Sequence, residues 1–165
     1  MNQDIAVDIN KLSLTKNKEV ELSEISLFDT ENKEKSIFDI NEKIIIKMRY
    51  KVKEKLHGLQ MTITLYKNGI AIFHSFNTDQ LEEHLIDFNI GKYLAELHIA
   101  QMFLKAGSYT LTCTAGTPDK LIFNLQELVS FEVEELSTNT IHVGFREKRE
   151  GNVIMQGSWE NEQLF

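Results

Sequence analysis

Five histidines, one cysteine and two pairs of adjacent glutamates are the side chains through which this 165-residue chain could do acid–base, thiol or metal chemistry. They form no recognisable catalytic set. His57, His74, His84, His98 and His142 nowhere fall at a metal-ligand spacing with a second strong ligand. Each therefore reads as a surface or half-buried structural group. Cys113 stands alone, so it can form no internal disulfide and cannot hold a structural zinc by itself. It sits on the apolar side of an alternating segment, where a thiol behaves as a small hydrophobe rather than as an activated thiolate. Glu82-Glu83 and Glu134-Glu135 read as solvated acids, because glycoside hydrolysis needs two carboxyls facing each other across a cleft. There is no phosphate-binding G-x-x-x-x-G-K-[ST] loop, no G-x-G-x-x-G, no G-x-S-x-G and no H-E-x-x-H. The expectation is no catalytic residue, no cofactor and no metal.

Binding chemistry is better represented. Lys47 and Arg49, then Thr62, Thr64 and Tyr66, then Glu96 and His98, then Thr110, Thr112 and Thr114 recur at period two on the sides of strands opposite their apolar residues. Together they describe a hydroxyl-rich surface with cations and one aromatic ring. Sugars suit such surfaces: hydroxyls meet donors and acceptors, and an aromatic face covers C–H groups. Lys47, Arg49, Thr62, Thr64, Tyr66, His98, Thr110 and Thr112 are the candidate carbohydrate-binding residues. Arg49, Lys47, Tyr66, His98 and Thr112 lead, the two cations being suited to an acidic group on a glycan. On this reading Arg49→Ala abolishes glycan binding and leaves the fold intact. The wet side of any antiparallel sheet, where threonine serves β-propensity, accounts for the same pattern without a ligand.

The elements that must position these residues are short strands. The first eighteen residues are weakly patterned and read as a linker or arm, the alternative being a loosely held edge strand around Asp4–Ile9. Val20, Leu22, Ile25 and Leu27 follow at strand period, with a slip after Leu22 that predicts a bulge. Ser36–Phe38 is a short strand, and Lys43–Val52 is the clearest one. Gln60–Tyr66 and Ile70–Phe76 flank Asn68-Gly69, a strong hairpin signal because both turn residues tolerate positive φ. Thr78–Phe88 reads as one or two helical turns in a loop, with Asp79 as the cap and Leu81 and Leu85 at helical spacing. Gly91–Leu104, Ser108–Ala115, Leu128–Val133, Thr140–Phe145 and Asn152–Met155 complete the strands. The architecture expected is all-β, an antiparallel immunoglobulin-like or jelly-roll sandwich with at most one short helix. Residues 1–18 would be the arm, 19–135 the sandwich, and 136–165 C-terminal strands that a dimer could exchange. Tyr109 and Trp159 are assigned to structure.

Composition narrows the partners. The formal net charge of −7 disfavours nucleic acid. One proline and eight glycines exclude collagen-like and proline-rich classes. No apolar run is long enough to span a bilayer, and the polar N-terminus is unlike a secretory signal, so a cytoplasmic location is expected.

Four motifs in order resemble a known family. Asn68–Thr78, NGIAIFHSFNT, is similar to its glycine-to-asparagine-threonine hairpin, and Leu104–Tyr109 matches its L-x-x-G-x-Y turn. Phe131-Glu132-Val133 matches a late F-x-V strand, and Gly151-Asn152-Val153 with Trp159 resembles a closing G-x-V…W element. The family is the C-terminal carbohydrate-binding domain of the nucleotide-binding subunit of O-antigen polysaccharide ABC exporters, the Wzt type. One departure is Ile99-Ala100, where members often carry proline after the isoleucine. The resemblance implies a non-catalytic sandwich that binds the end of a lipid-linked O-antigen polysaccharide and hands it to the exporter. The implied partners are the exporter's membrane subunit and ATPase domain and a second copy of the chain. The implied location is the cytoplasmic side of the inner membrane. The family's binding residues fall outside these motifs, so none is transferred. A glycan-active enzyme on the same fold and an adaptor that pairs sheet edges are the alternatives.

Overall fold

Alternation at period two builds a two-layered β-sandwich in the computed structural model, which describes residues 6–136, 150–155 and 158–164. The strands are β1 (Val20–Phe28), β2 (Ile37–Asp39), β3 (Ile44–Val52), β4 (Leu56–His57), β5 (Gln60–Lys67), β6 (Ile70–Phe76), β7 (Asp87–Phe88), β8 (Gly91–Ile99), β9 (Gly107–Thr117) and β10 (Lys120–Glu134). One sheet has the order β1-β3-β8, the other β2-β10-β9-β5-β6, and β4 pairs with β7. All pairings are antiparallel except β2 with β10, which is parallel. The core lies between the two sheets. Ile46, Met48 and Tyr50 of β3 share it with Met61, Ile63 and Leu65 of β5 and Tyr109, Leu111 and Cys113 of β9. The Cys113 thiol reaches across the layers to the Met48 sulfur at 3.8 Å. Complete burial pushes that thiol up to about 12, so it is a packing group, as its place in the alternation implies.

The local expectations hold where they rest on turn chemistry. Asn68 and Gly69 turn β5 into β6 with φ of 50° and 75°. The slip in β1 is a bulge: Leu22 faces Tyr50 and Glu24 faces Arg49, so Ser23 is the extra residue. Tyr109 packs inward, stacks on Phe131, and donates its hydroxyl to the Lys105 carbonyl at 2.6 Å.

Three expectations change. Residues 78–88 contain no helix. The Asp79 carboxylate turns back to accept from the Phe76 amide at 3.0 Å and the Ser75 hydroxyl at 2.8 Å. Two leucines at helical spacing, both left exposed, give a helix nothing to bury. The one helix among the described residues is α1 (Ile9–Ser13), capped by Asp8 in the segment read as an arm. That segment lies on β10, with Val7 bridging Val129 and the Asp8 amide donating to the Leu128 carbonyl at 2.8 Å. Its Thr15 is buried and accepts from the Leu22 amide at 2.9 Å, a docking that the scattered lysines and asparagines conceal. Asn152–Met155 forms no strand: Val153 bridges Leu104, the Ile154 amide donates to the Phe103 carbonyl at 2.8 Å with its side chain buried, and Trp159 is exposed. The expected strand Thr140–Phe145, with most of the exchange arm, lies outside the described residues.

Gly58 shows how tightly the β4–β5 corner is built. Its φ is +69°, and an added Cβ would stand 2.8 Å from Leu85 Cδ2 and 3.0 Å from Pro118 Cδ. The leucine can swing aside, but the proline ring cannot. Gly58→Ala is expected to lower stability by about 1–2 kcal/mol, seen as a lower urea midpoint at unchanged slope. A midpoint equal to the wild type's would contradict this.

Candidate functional site

The two sheets do not close on one side. β6 ends the five-stranded sheet and β8 ends the three-stranded one, and a groove of about 520 Å³ opens between them. Beneath it lie the buried Met48, Met61 and Ile63 on the core faces of β3 and β5. Ala95 and Leu97 form the β8 wall, with Glu96 and His98 on the same strand at the lip. The opposite wall is Ser75 and Phe76 of β6 with Asn77, Asp79 and Gln80 of the turn that follows. A second hollow of about 330 Å³ shares Ser75, Leu97 and His98 and extends the groove past Phe73 and Phe103, whose rings lie 6.4 Å apart.

Each wall is fixed by its own hydrogen bonds. The Asn77 amide donates to the Met61 carbonyl at 2.9 Å, and its side-chain oxygen accepts from the Met61 amide at 3.0 Å. Asn77 also hydrogen-bonds the buried Tyr50, whose phenol is pushed up to about 12 by desolvation. On β8, His98 Nε2 lies 3.2 Å from Glu96 Oε2, and Lys47 Nζ lies 3.6 Å from Glu96 Oε1. The His98 hydrogen bond, then the Lys47 charge, hold the Glu96 carboxyl below its ordinary range. Glu96 is thus an acceptor at neutral pH. A carboxyl acting as general acid needs the opposite shift. Apolar side chains and phenyl rings on the walls, and carboxylate, amide, hydroxyl and imidazole groups at the rim, make a site for a ligand that alternates C–H faces with hydroxyls. Among the described residues, no three of His, Cys, Asp and Glu gather as metal ligands would.

The structure divides the sequence-predicted surface in two, and this corrects the assumption of one face. Lys47, Arg49 and His98 belong to the three-stranded sheet, and Thr62, Thr64, Tyr66, Thr110 and Thr112 belong to the five-stranded one. In both sets the apolar alternates face the shared core, so the polar sets face away from each other on opposite sides of the sandwich. Only His98, on the edge strand β8, borders the groove, at its lip. Lys47 is held by Asn32 and Glu96, and Arg49 Nε by Glu24 at 3.4 Å. Thr62, Thr64 and Thr112 are buried by their neighbours; the Thr64 hydroxyl meets His74 Nδ1 at 2.7 Å, and that of Thr112 accepts from the Glu127 amide at 3.4 Å. Ser75, Phe76, Asn77, Asp79 and Gln80 escape a strand-alternation reading because they run off the end of a strand. A polar run with an embedded phenylalanine just after a hairpin was the available signal.

The family described as the Wzt C-terminal domain matches residues 13–146. Among solved structures, the C-terminal domain of Wzt aligns with a TM-score of 0.65 at 10% identity, over 88% of this chain and 86% of that one. A β-glucuronidase from Parabacteroides merdae aligns with a TM-score of 0.44 at 20% identity, over 70% of this chain and 14% of its own. A β-glucosidase from Listeria innocua in complex with glucose aligns with a TM-score of 0.37 at 9% identity, over 67% of this chain and 16% of its own. The last two scores bear on no shared function. No curated protein matches the chain by sequence.

Proposed function

Because this chain belongs to the family of Wzt C-terminal domains, we propose that it binds glycan without transforming it, in the groove between β6 and β8. The ligand is the terminus of a lipid-linked O-antigen polysaccharide, and binding couples the finished chain to an ABC exporter. The partners are the exporter's membrane subunit and ATPase domain, at the cytoplasmic face of the membrane, with a second copy of this chain as its dimer mate.

The observation that carries the reading is the lining of the groove in a member of this family. Ala95 and Leu97 with the Phe73 and Phe103 rings suit C–H faces of pyranose rings, and Asp79, Gln80, Glu96 and His98 supply acceptors and donors for hydroxyls. The two walls stand on different sheets, so an extended ligand touches both at once. Asp79 and Glu96 are the carboxyls that line the groove, one on each wall. The lowered Glu96 carboxyl favours hydroxyl acceptance over proton donation.

Isothermal titration with lipid-free O-polysaccharide tests this, run beside an assay for new reducing ends. Saturable binding with no new reducing ends is expected. Steady release of reducing ends would put a glycan-active enzyme in its place. Absence of heat with every polysaccharide offered would favour an adaptor that pairs the free edges of β6 and β8.

A further inference from the structure

The outer face of the three-stranded sheet carries a separate hollow of about 470 Å³, whose lining includes Ser23, Arg49, Lys51, Lys92 and Leu94. Register brings its charges together. Lys51 faces Lys92 across the β3–β8 ladder, and Arg49 faces Leu94 one pair along the same face. Two ammonium groups directly opposite each other repel, which costs stability unless something sits between them. The carboxylates close by are already engaged. Glu21, which faces Lys51 from β1 and feels its charge, is bonded to Lys53 at 3.0 Å, and Glu24 is bonded to Arg49 at 3.4 Å, so one carboxylate is shared between two lysines. Among the described residues, neither Lys51 nor Lys92 makes an ion pair. The β1 bulge adds Ser23, the extra residue of that strand, to the lining. A chain of net charge −7 thus concentrates cations around a concave site.

We propose that this hollow is an oxyanion subsite that takes a phosphate or carboxylate substituent carried on a sugar. The ammonium groups of Lys51 and Lys92 flank the anion, the Arg49 guanidinium and the Ser23 hydroxyl donate to its oxygens, and Leu94 meets the apolar face of the sugar. The subsite lies apart from the groove, so the two assignments stand or fall separately.

Amide chemical shifts of 15N-labelled protein at low ionic strength test this with inorganic phosphate and glucuronate, glucose being the uncharged control, beside sedimentation with phosphatidylglycerol vesicles. Phosphate and glucuronate are expected to shift residues 49–51 and 92–94, and glucose to leave them in place. The Lys51→Ala/Lys92→Ala variant weakens phosphate binding about tenfold or more, and Lys51→Arg/Lys92→Arg retains it. Phosphate binding unchanged in the double alanine variant, or shifts scattered over the lysines of the whole surface, would overturn the subsite. So would Lys51- and Lys92-dependent sedimentation with the vesicles without glucuronate binding, which would reassign the patch to a lipid surface.

Discussion

His98→Ala lowers affinity for the O-polysaccharide about tenfold, and His98→Ala/Phe73→Ala about a hundredfold, roughly one lost contact of 1.4 kcal/mol for each step. His98 borders both parts of the groove and is exposed, so its loss takes away a hydrogen-bonding ring without opening the core. Phe73 stands on the opposite wall, paired with the core-facing Leu65 and beside Phe103, and offers a ring to a pyranose face. The single variant should melt with the wild type. Thr110→Val, on the outer face of the other sheet, should change affinity less than about twofold, because a site on the groove does not include it. Loss of binding in Thr110→Val with retention in His98→Ala would move the site to the threonine-rich face.

Phe131→Ala has the largest expected effect on the fold. Phe131 is buried between Phe38, edge-on at 6.2 Å, and Tyr109, stacked at 5.5 Å. It ties β2 and β9 to β10 at the end of the sheet order opposite β6. Truncation leaves a cavity that a backbone pinned on both sides cannot collapse, at a cost of about 3–5 kcal/mol. For a domain of this size that lowers the melting temperature by about 6–20 °C. Phe131→Leu keeps most of the volume and costs less than about 1.5 kcal/mol. Its polysaccharide affinity should equal the wild type's, since the groove lies at the other edge. A Phe131→Ala protein within about 1 kcal/mol of the wild type would contradict the packing described.

The sequence was legible wherever a property is local. Asn68-Gly69 specifies its own turn, the slip after Leu22 specifies a bulge, and alternation in β3, β8 and β9 correctly sorts Met48, Leu97 and Cys113 inward. Alternation says which side of a strand a residue takes, but not which sheet the strand joins. Lys47 and Thr64 therefore appeared as neighbours although the core separates them. That partition is decided by pairings remote in sequence, such as β3 with β8 and β5 with β9. The groove was invisible for the same reason: it exists only because β6 and β8, each an edge, end up facing one another. The helix expected at 78–88 failed on energetics, since Leu81 and Leu85 have no surface to cover. Docking of residues 6–15 rests on main-chain bonds to β10, a buried threonine that bonds β1, and scattered Ala6, Val7 and Leu12 whose spacing shows no strand or helix period.

The most direct measurement of the central claim is amide chemical-shift mapping of the 15N-labelled protein with O-polysaccharide that carries its native terminus. The account predicts saturable shifts confined to residues 73–80 and 95–99, on both walls of the groove. Shifts centred instead on Thr62, Thr64, Tyr66, Thr110 and Thr112, or none at saturating polysaccharide, would contradict it.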